Sequence, residues 1–254
     1  MGPKKTARIF PVDDYDLDSF AKVASEFGRD RFGYVVTPNT DHLIRWHMDE
    51  SFRGYYADST YIVLDSRFLA LMFRAMNGEK AKVCPGSDLT EHLLSRVISP
   101  LDRVVVIGSE ESQARSLEAR YGLRNLRHFD PPQGFAADPL AVEECLAYIE
   151  RQSPFRFCLL AVGTPRQEML AQALLARGVA RGLALCVGAS VNYLTGKERR
   201  APVWIRRIGF EWLFRLIRQP TRLAYRYLVR GPRVFALIPY TRLDLRHRAP
   251  PCVR

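Results

Sequence analysis

Five short apolar runs recur along the first 190 residues, at 32–37, 61–65, 104–107, 157–162 and 183–187, each giving way to polar or glycine-containing chain. Runs this short, built of β-branched and bulky residues and bounded by Gly or Pro, predict buried parallel strands. Between them the period lengthens to that of a helix. Leu17, Phe20, Val23, Ala24 and Phe27 share one face, with Asp16 or Asp18 as cap and Gly28 as stop. His42, Leu43 and Trp46 suggest a second helix, 68–73 a third, Gly86-Ser-Asp-Leu89 opens another with Ser87 or Asp88 as cap, and 140–150 is a further one. Strands alternating with helices predict an α/β fold with a mainly parallel sheet.

In such a sheet ligands bind in the crevice outside the carboxyl ends of the strands, so the polar residues that close each run are the candidates for chemistry. Phe157-Cys-Leu-Leu-Ala-Val breaks at Gly163, and Pro165 suits a first helical turn, which leaves Thr164, Arg166, Gln167 and Glu168 facing a ligand. An ordinary strand-to-helix connection with a solvated Arg and Glu explains the same residues. Thr37-Pro-Asn-Thr-Asp41 offers ligand contacts or simply a helix cap. Asp65, at the end of an aliphatic strand, is placed either to cap the following helix or to act as a general base. Gly108-Ser-Glu-Glu111 opens a helix whose free N–H groups could hold a phosphate, although two glutamates would repel one unless they point away. It is not the Gly-x-Gly-x-x-Gly fingerprint, which argues against a nicotinamide-dependent oxidoreductase.

With 254 residues, 47% hydrophobic and 26% charged, the chain can bury a sizeable core. Cys84, Cys145, Cys158, Cys186 and Cys252 are scattered without Cys-x-x-Cys pairing, so neither a disulfide framework nor a zinc site is expected, and a reducing cytosol fits. Asp14, Asp16 and Asp18 form two Asp-x-Asp patterns of the kind that hold a divalent metal, but acidic residues before a first helical turn are favoured as caps, and no metal is expected. No signal-peptide pattern and no uncharged run of about 18 apolar residues is present, so neither secretion by that route nor a membrane span is expected.

The net charge of +11 changes the picture because of where it lies. Residues 196–254 hold 15 Lys and Arg against 3 Asp and Glu, whereas the first 195 hold 23 against 24. A nearly neutral α/β unit (1–195) is therefore followed by a basic appendage (196–254). Arg215, Arg218, Arg222, Arg226 and Arg230 would form a stripe on a helix, but Pro220 should interrupt it, so two short helices are expected. A basic, Arg- and Tyr-rich tail is compatible with nucleic acid. Its interleaving with Trp204, Ile205, Ile208, Phe210, Trp212, Leu213, Phe214, Leu216 and Ile217 suits a lipid interface better.

These strand ends and the tail resemble the WecG/TagA/CpsF family of bacterial glycosyltransferases. The resemblance rests on Thr37-Pro-Asn39, Tyr61-Ile-Val-Leu-Asp65, Gly86-Ser-Asp-Leu89, Val162-Gly-Thr-Pro-Arg-Gln-Glu168, Val187-Gly-Ala-Ser190 and Leu194-Thr-Gly-Lys-Glu-Arg-Arg-Ala-Pro202, continuing through 204–215 and 219–223. It implies a Rossmann-like core and an inverting, metal-independent transfer of a sugar from a UDP-sugar to a polyprenyl-diphosphate-linked sugar. The setting implied is the cytoplasmic face of the membrane, in the synthesis of cell-surface or exopolysaccharides. On this pattern Asp65 is the general base, Thr37, Asn39 and Gln167 fall on donor positions and Asn192 touches the donor pocket, to which the crevice argument adds Thr164, Arg166 and Glu168 and the helix opening adds Gly108. Arg207, Arg215, Arg218, Arg222 and Arg226 would meet the acceptor, a diphosphate or an anionic membrane. No cofactor and no nucleic-acid partner is expected, and a homo-oligomer is compatible with the pattern. Three departures stand out: Ser66 where Gly often follows the base, Val83 where an Arg is frequent, with Lys82 as stand-in, and Gly188-Ala-Ser-Val-Asn192 in place of Gly-Gly-Ala-Phe-Asp.

Overall fold

The protein is described by a computed structural model covering residues 7–247. Its strands are β1 (Arg8–Asp13), β2 (Phe32–Val36), β3 (Tyr61–Ile62), β4 (Val104–Ile107), β5 (Leu126–Phe129), β6 (Phe157–Leu160), β7 (Gly182–Cys186) and β8 (Thr241–Arg246). All five apolar runs become strands of one six-stranded parallel sheet ordered β3, β2, β7, β6, β4, β5. Alternate residues feed two cores. Val36, Ile107, Leu160 and Cys186 point to one face, Val35, Val106, Leu159 and Leu185 to the other. Burial on both faces is why these strands read as unbroken apolar runs rather than alternating ones. β3 is shorter than its run, but Val63 N–H donates to Val36 O (3.0 Å) and Asp65 N–H to Pro38 O (2.9 Å), so extended chain continues to Asp65.

Helices α1 (Leu17–Glu26), α2 (Thr40–Met48), α3 (Glu50–Ala57), α4 (Arg67–Asn77), α5 (Gly86–His92), α6 (Glu111–Tyr121), α7 (Pro139–Arg151), α8 (Arg166–Arg177) and α9 (Ser190–Leu194) cover the two faces, completing a Rossmann-like α/β fold. Capping settles several choices left open by the sequence. Asp16 caps α1, accepting from Ser19 N–H at 2.9 Å, while Asp14 accepts from Lys82 N–H at 2.8 Å. Ser66 caps α4 through Leu69 N–H (3.1 Å), so Asp65 is not the cap of that helix. Neither Ser87 nor Asp88 caps α5, which starts behind Pro85 without a side-chain cap; both bind Arg200 instead, at 2.8 and 2.6 Å.

Beyond residue 200 the chain makes α10 (Val203–Arg207), α11 (Glu211–Arg218), α12 (Pro220–Ala224), wider turns over Tyr225–Arg230, and α13 (Arg233–Leu237). Pro220 does interrupt the stripe, but four short helices form where two were expected. The N-terminal strand and the returning β8 were not foreseen: β1 and β8 pair in parallel as a separate two-stranded sheet, and Val234 and Ile238 are buried in the same core as Phe10 and Val12.

Candidate active site

The carboxyl ends of β3, β2, β7 and β6 open into a cleft of about 240 Å³ whose far wall is α10 to α12. Asp65, Thr37, Asn39, Thr164 and Gln167 line it from the sheet, and Arg215, Arg222 and Arg226 from the appendage. Gly209 makes that wall possible. It adopts φ +82°, and a Cβ there would lie 3.2 Å from Phe68 N, so the chain passes closely over the start of α4 before α11 begins. Trp212 then packs edge-on to Phe68 at 5.9 Å and to Tyr227 at 5.9 Å.

Asp65 accepts a hydrogen bond from Gly86 N–H at 2.7 Å. Burial pushes its carboxyl up to about 6; the Gly86 N–H works against burial, Glu211 adds to it and Arg215 opposes it. Glu211 and Arg215, four residues apart on α11, both face the cleft, as does Tyr193, over whose ring the Arg215 guanidinium sits at 5.6 Å. Thr37 Oγ1 donates to Cys186 O at 2.8 Å and ties β2 to β7. Asn39 is both cap and cleft residue: its Oδ1 accepts from Asp41 N–H and lies 3.5 Å from Arg226 Nη2.

Two anions, the buried Asp41 and the partly buried Asp88, organise the arginines. Asp41 lies 2.9 Å from Arg45 and 3.6 Å from both Arg226 and Arg230. Burial alone would raise its carboxyl, but Arg226 and Arg45 outweigh burial and hold it below the usual range. Asp88 gathers Arg200 (2.6 Å), Arg206 (3.1 Å) and Arg67 (3.2 Å), fastening the start of the appendage beside the Gly86 turn. Several donors are left over. Arg215 Nε, Arg226 Nε, Tyr193 Oη and Trp212 Nε1 are buried without a hydrogen-bond partner among the described residues.

Other candidates lie outside this cleft. Glu168 is fully buried beneath its floor, and Arg166 is exposed. Gly108, at φ +85°, packs where a Cβ would lie 2.8 Å from Val162, which gives it a packing reason to be glycine. Asn192 donates to Glu198 (2.9 Å) and accepts from Gln113 (2.9 Å), a pairing that requires an amide. Arg207 and Arg218 are exposed, and Arg206 rather than Arg207 enters the cleft. Lys82 does not replace an arginine at the cleft, since its Nζ lies 3.7 Å from Asp16. Glu211, Tyr227 and Tyr193 were not singled out by the sequence, and Trp212, expected at a lipid interface, lines the cleft instead; the spacing of Glu211 and Arg215 was a signal that one helical face carries both. Among the described residues no group of three or more His, Cys, Asp or Glu side chains is arranged to hold a metal ion.

A polar crevice at the carboxyl edge of a Rossmann-like parallel sheet makes this an α/β protein of the kind that binds its ligand at strand ends. Comparison with known sequences gives the particular family: the chain belongs to the glycosyl transferase WecG/TagA/CpsF family, whose model matches residues 8–248, and it is a glycosyltransferase. It is 24% identical over 225 residues to the N-acetylglucosaminyldiphosphoundecaprenol N-acetyl-beta-D-mannosaminyltransferase of Bacillus subtilis (strain 168), an overlap of 86% of this chain and 85% of that protein.

Proposed function

We propose that the enzyme moves a hexose or N-acetylhexosamine, with inversion, from a UDP-sugar to a polyprenyl-diphosphate-linked sugar in the synthesis of a bacterial surface or exopolysaccharide. The observation that carries this reading is the set of buried, unpartnered donors on Arg215, Arg226, Tyr193 and Trp212 around a cleft that also holds Asp65. Buried donors without partners call for a ligand that supplies acceptors, and a diphosphate does so. The relative's name, which specifies a diphosphoundecaprenol acceptor and an N-acetylmannosaminyl group, supports the same substrate class.

In this mechanism the acceptor hydroxyl attacks the anomeric carbon while its proton passes to an Asp65 carboxylate oxygen. The bond from that carbon to the diphosphate oxygen breaks, and the electron pair leaves with UDP. A base near pH 6 is ionised at neutrality yet basic enough to take a proton in the transition state. The guanidinium groups of Arg215, Arg222 and Arg226 face the charge that develops on the leaving diphosphate.

The appendage supports attachment to a membrane surface. Trp204, Ile208 and Ile217 are 66%, 52% and 71% exposed, beside the exposed Arg207 and Arg218. Arg226 and Arg230 turn inward to Asp41, which favours a lipid partner over an outward basic face for nucleic acid. No described helix is long and apolar enough to cross a membrane. The test is mass-spectrometric screening of UDP-sugars for turnover on a lipid-linked acceptor, with and without EDTA. Turnover that survives chelation is expected; turnover abolished by EDTA and restored by magnesium or manganese would refute the metal-independent route.

A further inference from the structure

Along and beneath the cleft floor runs a continuous chain of polar side chains, all but Thr164 buried, that the catalytic step does not use. Tyr56 Oη lies 2.8 Å from His42 Nδ1, His42 Nε2 lies 2.7 Å from Thr164 Oγ1, and Thr164 Oγ1 lies 3.1 Å from Glu168 Oε1. Gln167 Nε2 lies 2.7 Å from the same carboxylate oxygen, and Gln167 Oε1 accepts from Gly188 N–H at 2.9 Å. Glu168 and Gln167 are 0% and 2% exposed, and Glu168 Oε2 has no hydrogen-bond partner among the described residues.

The direction of every bond in this chain can be deduced. A backbone N–H only donates, so Gly188 fixes which end of the Gln167 amide is oxygen and turns Nε2 towards Glu168. Burial holds His42 far below its ordinary value, at about 3, so the imidazole is neutral and carries one proton. With Glu168 ionised, only one arrangement satisfies all members: Tyr56 donates to His42 Nδ1, His42 Nε2–H to Thr164, and the Thr164 hydroxyl to Glu168. Protonation on the shared oxygen turns that oxygen into a donor to Thr164, which frees the Thr164 hydroxyl to donate to His42 Nε2 and His42 Nδ1–H to Tyr56. Thr164, Gln167 and the Gly188 turn all line the cleft, whereas Glu168 does not.

We propose that Glu168 is a positioning residue of this transferase, the terminal acceptor whose unprotonated Oε1 fixes the Thr164 hydroxyl and the Gln167–Gly188 clamp in the orientation that receives the sugar nucleotide. The proposal rests on the reading of this cleft as the donor site. A carboxylate kept in the core with one oxygen unpartnered is costly to folding, which argues that it serves the site above it. The groups facing it are His42 and Arg45 on α2, Tyr55 and Tyr56 on α3, Tyr34 on β2 and Cys186 on β7, with Asp41 acting on His42. Of these, burial keeps the phenols and the thiol protonated, and Glu168 is the group that titrates near neutrality, pushed up by burial to about 7.

The experiment compares wild type, Glu168→Gln and Glu168→Ala in two readouts: hydrogen exchange of the Gly188 amide, and KM for the UDP-sugar against kcat, both from pH 6 to 8. Glu168→Ala is expected to lose Gly188 protection and to raise KM roughly 5- to 100-fold with little change in kcat at pH 8. Glu168→Gln, which keeps an acceptor oxygen but no titratable charge, should restore protection and KM and abolish the rise in KM that wild type shows below about pH 7. Wild-type Gly188 exchange and KM in both variants would overturn the proposal, as would a Glu168→Gln profile that still follows wild type with pH. If Glu168→Ala does not fold, the Glu168→Gln profile alone decides. Loss of Gly188 protection in a protein that binds no UDP-sugar would refute the donor-site reading while leaving Glu168's hold on the clamp demonstrated.

Discussion

The replacement Asp65→Asn should inactivate the enzyme and stabilise it at the same time. Asp65 rises from an ordinary carboxylate value of 3.8 to about 6 in the folded protein because it is buried. The folded state therefore holds this proton more tightly than the unfolded chain, and stability contributed by the protonated form is lost as pH rises from about 4 to about 6. The full rise corresponds to about 3 kcal/mol. Asparagine keeps an oxygen for Gly86 N–H but carries no charge to desolvate, so it escapes most of that cost above pH 6 and gives up only the attraction of Arg215. A net gain of about 1–3 kcal/mol at pH 8 is expected, some 2–10 °C in Tm for a chain of this size. Glu168 titrates in wild type and variant alike and cancels from the difference. The assay is thermal unfolding of both proteins at pH 4, 6 and 8, beside turnover of a UDP-sugar on a lipid-linked acceptor. The stability gap should close at pH 4, while turnover at pH 8 falls by about two to four orders of magnitude. A variant no more stable than wild type at pH 8, or equally shifted at pH 4 and 8, would refute the burial argument; near-normal turnover would remove Asp65 as the base.

Asp41 should show the opposite sign. Its carboxyl is held below the usual range by Arg226 and Arg45, so Asp41→Asn is expected to cost about 1–3 kcal/mol at neutral pH, a loss that shrinks as pH falls below about 4; denaturant titrations at pH 3 and 7 check this. Gln167→Ala should raise KM for the donor and also cost about 1–3 kcal/mol, because Gly188 N–H and Glu168 each lose a partner. Equal stability to wild type would mean that the clamp is not formed. Joint replacement of Trp204, Ile208 and Ile217 by serine should leave stability within about 0.5 kcal/mol per site and abolish co-sedimentation with anionic liposomes at low salt. Unchanged sedimentation, or preferential capture by duplex DNA, would discard the membrane reading. Truncation near Leu194, at the boundary that the charge distribution suggests, removes β8 and the buried Val234 and Ile238 and should destabilise the whole chain.

The sheet was readable because five of its six strands are buried on both faces, and double burial writes itself as an apolar run. β5 carries Arg127 and His128 at the sheet edge, so its run is broken and it passed unnoticed. β1 and β8 failed for a different reason. Each depends on the other across more than 200 residues of chain, and neither Arg-Ile-Phe-Pro-Val-Asp nor Thr-Arg-Leu-Asp-Leu-Arg declares a partner locally.

At the cleft, residue types were readable and their partners were not. The periodicity of the arginines correctly placed several of them on one side of the tail, but an arginine four residues from another says nothing about the anion it meets. Asp41 takes Arg226 and Arg230 out of the solvated stripe, Asp88 holds Arg200 and Arg206 ahead of it, and Arg215 keeps a buried, unpaired Nε. Those three fates have different energetic consequences: the paired arginines hold the appendage on the α/β core, while the unpaired donor is costly by itself and becomes favourable when it meets an anion. The same logic separates the acids. Asp41 and Asp88 are surrounded by guanidinium groups and serve as anchors, whereas Asp65 and Glu168 are buried among few or no cations and stay close to neutrality, where a proton can be taken up or released. A catalytic carboxylate and an anchoring one look alike at the end of a strand or the start of a helix. What divides them is how many arginines the distant appendage delivers to each, and that is a property of the folded chain.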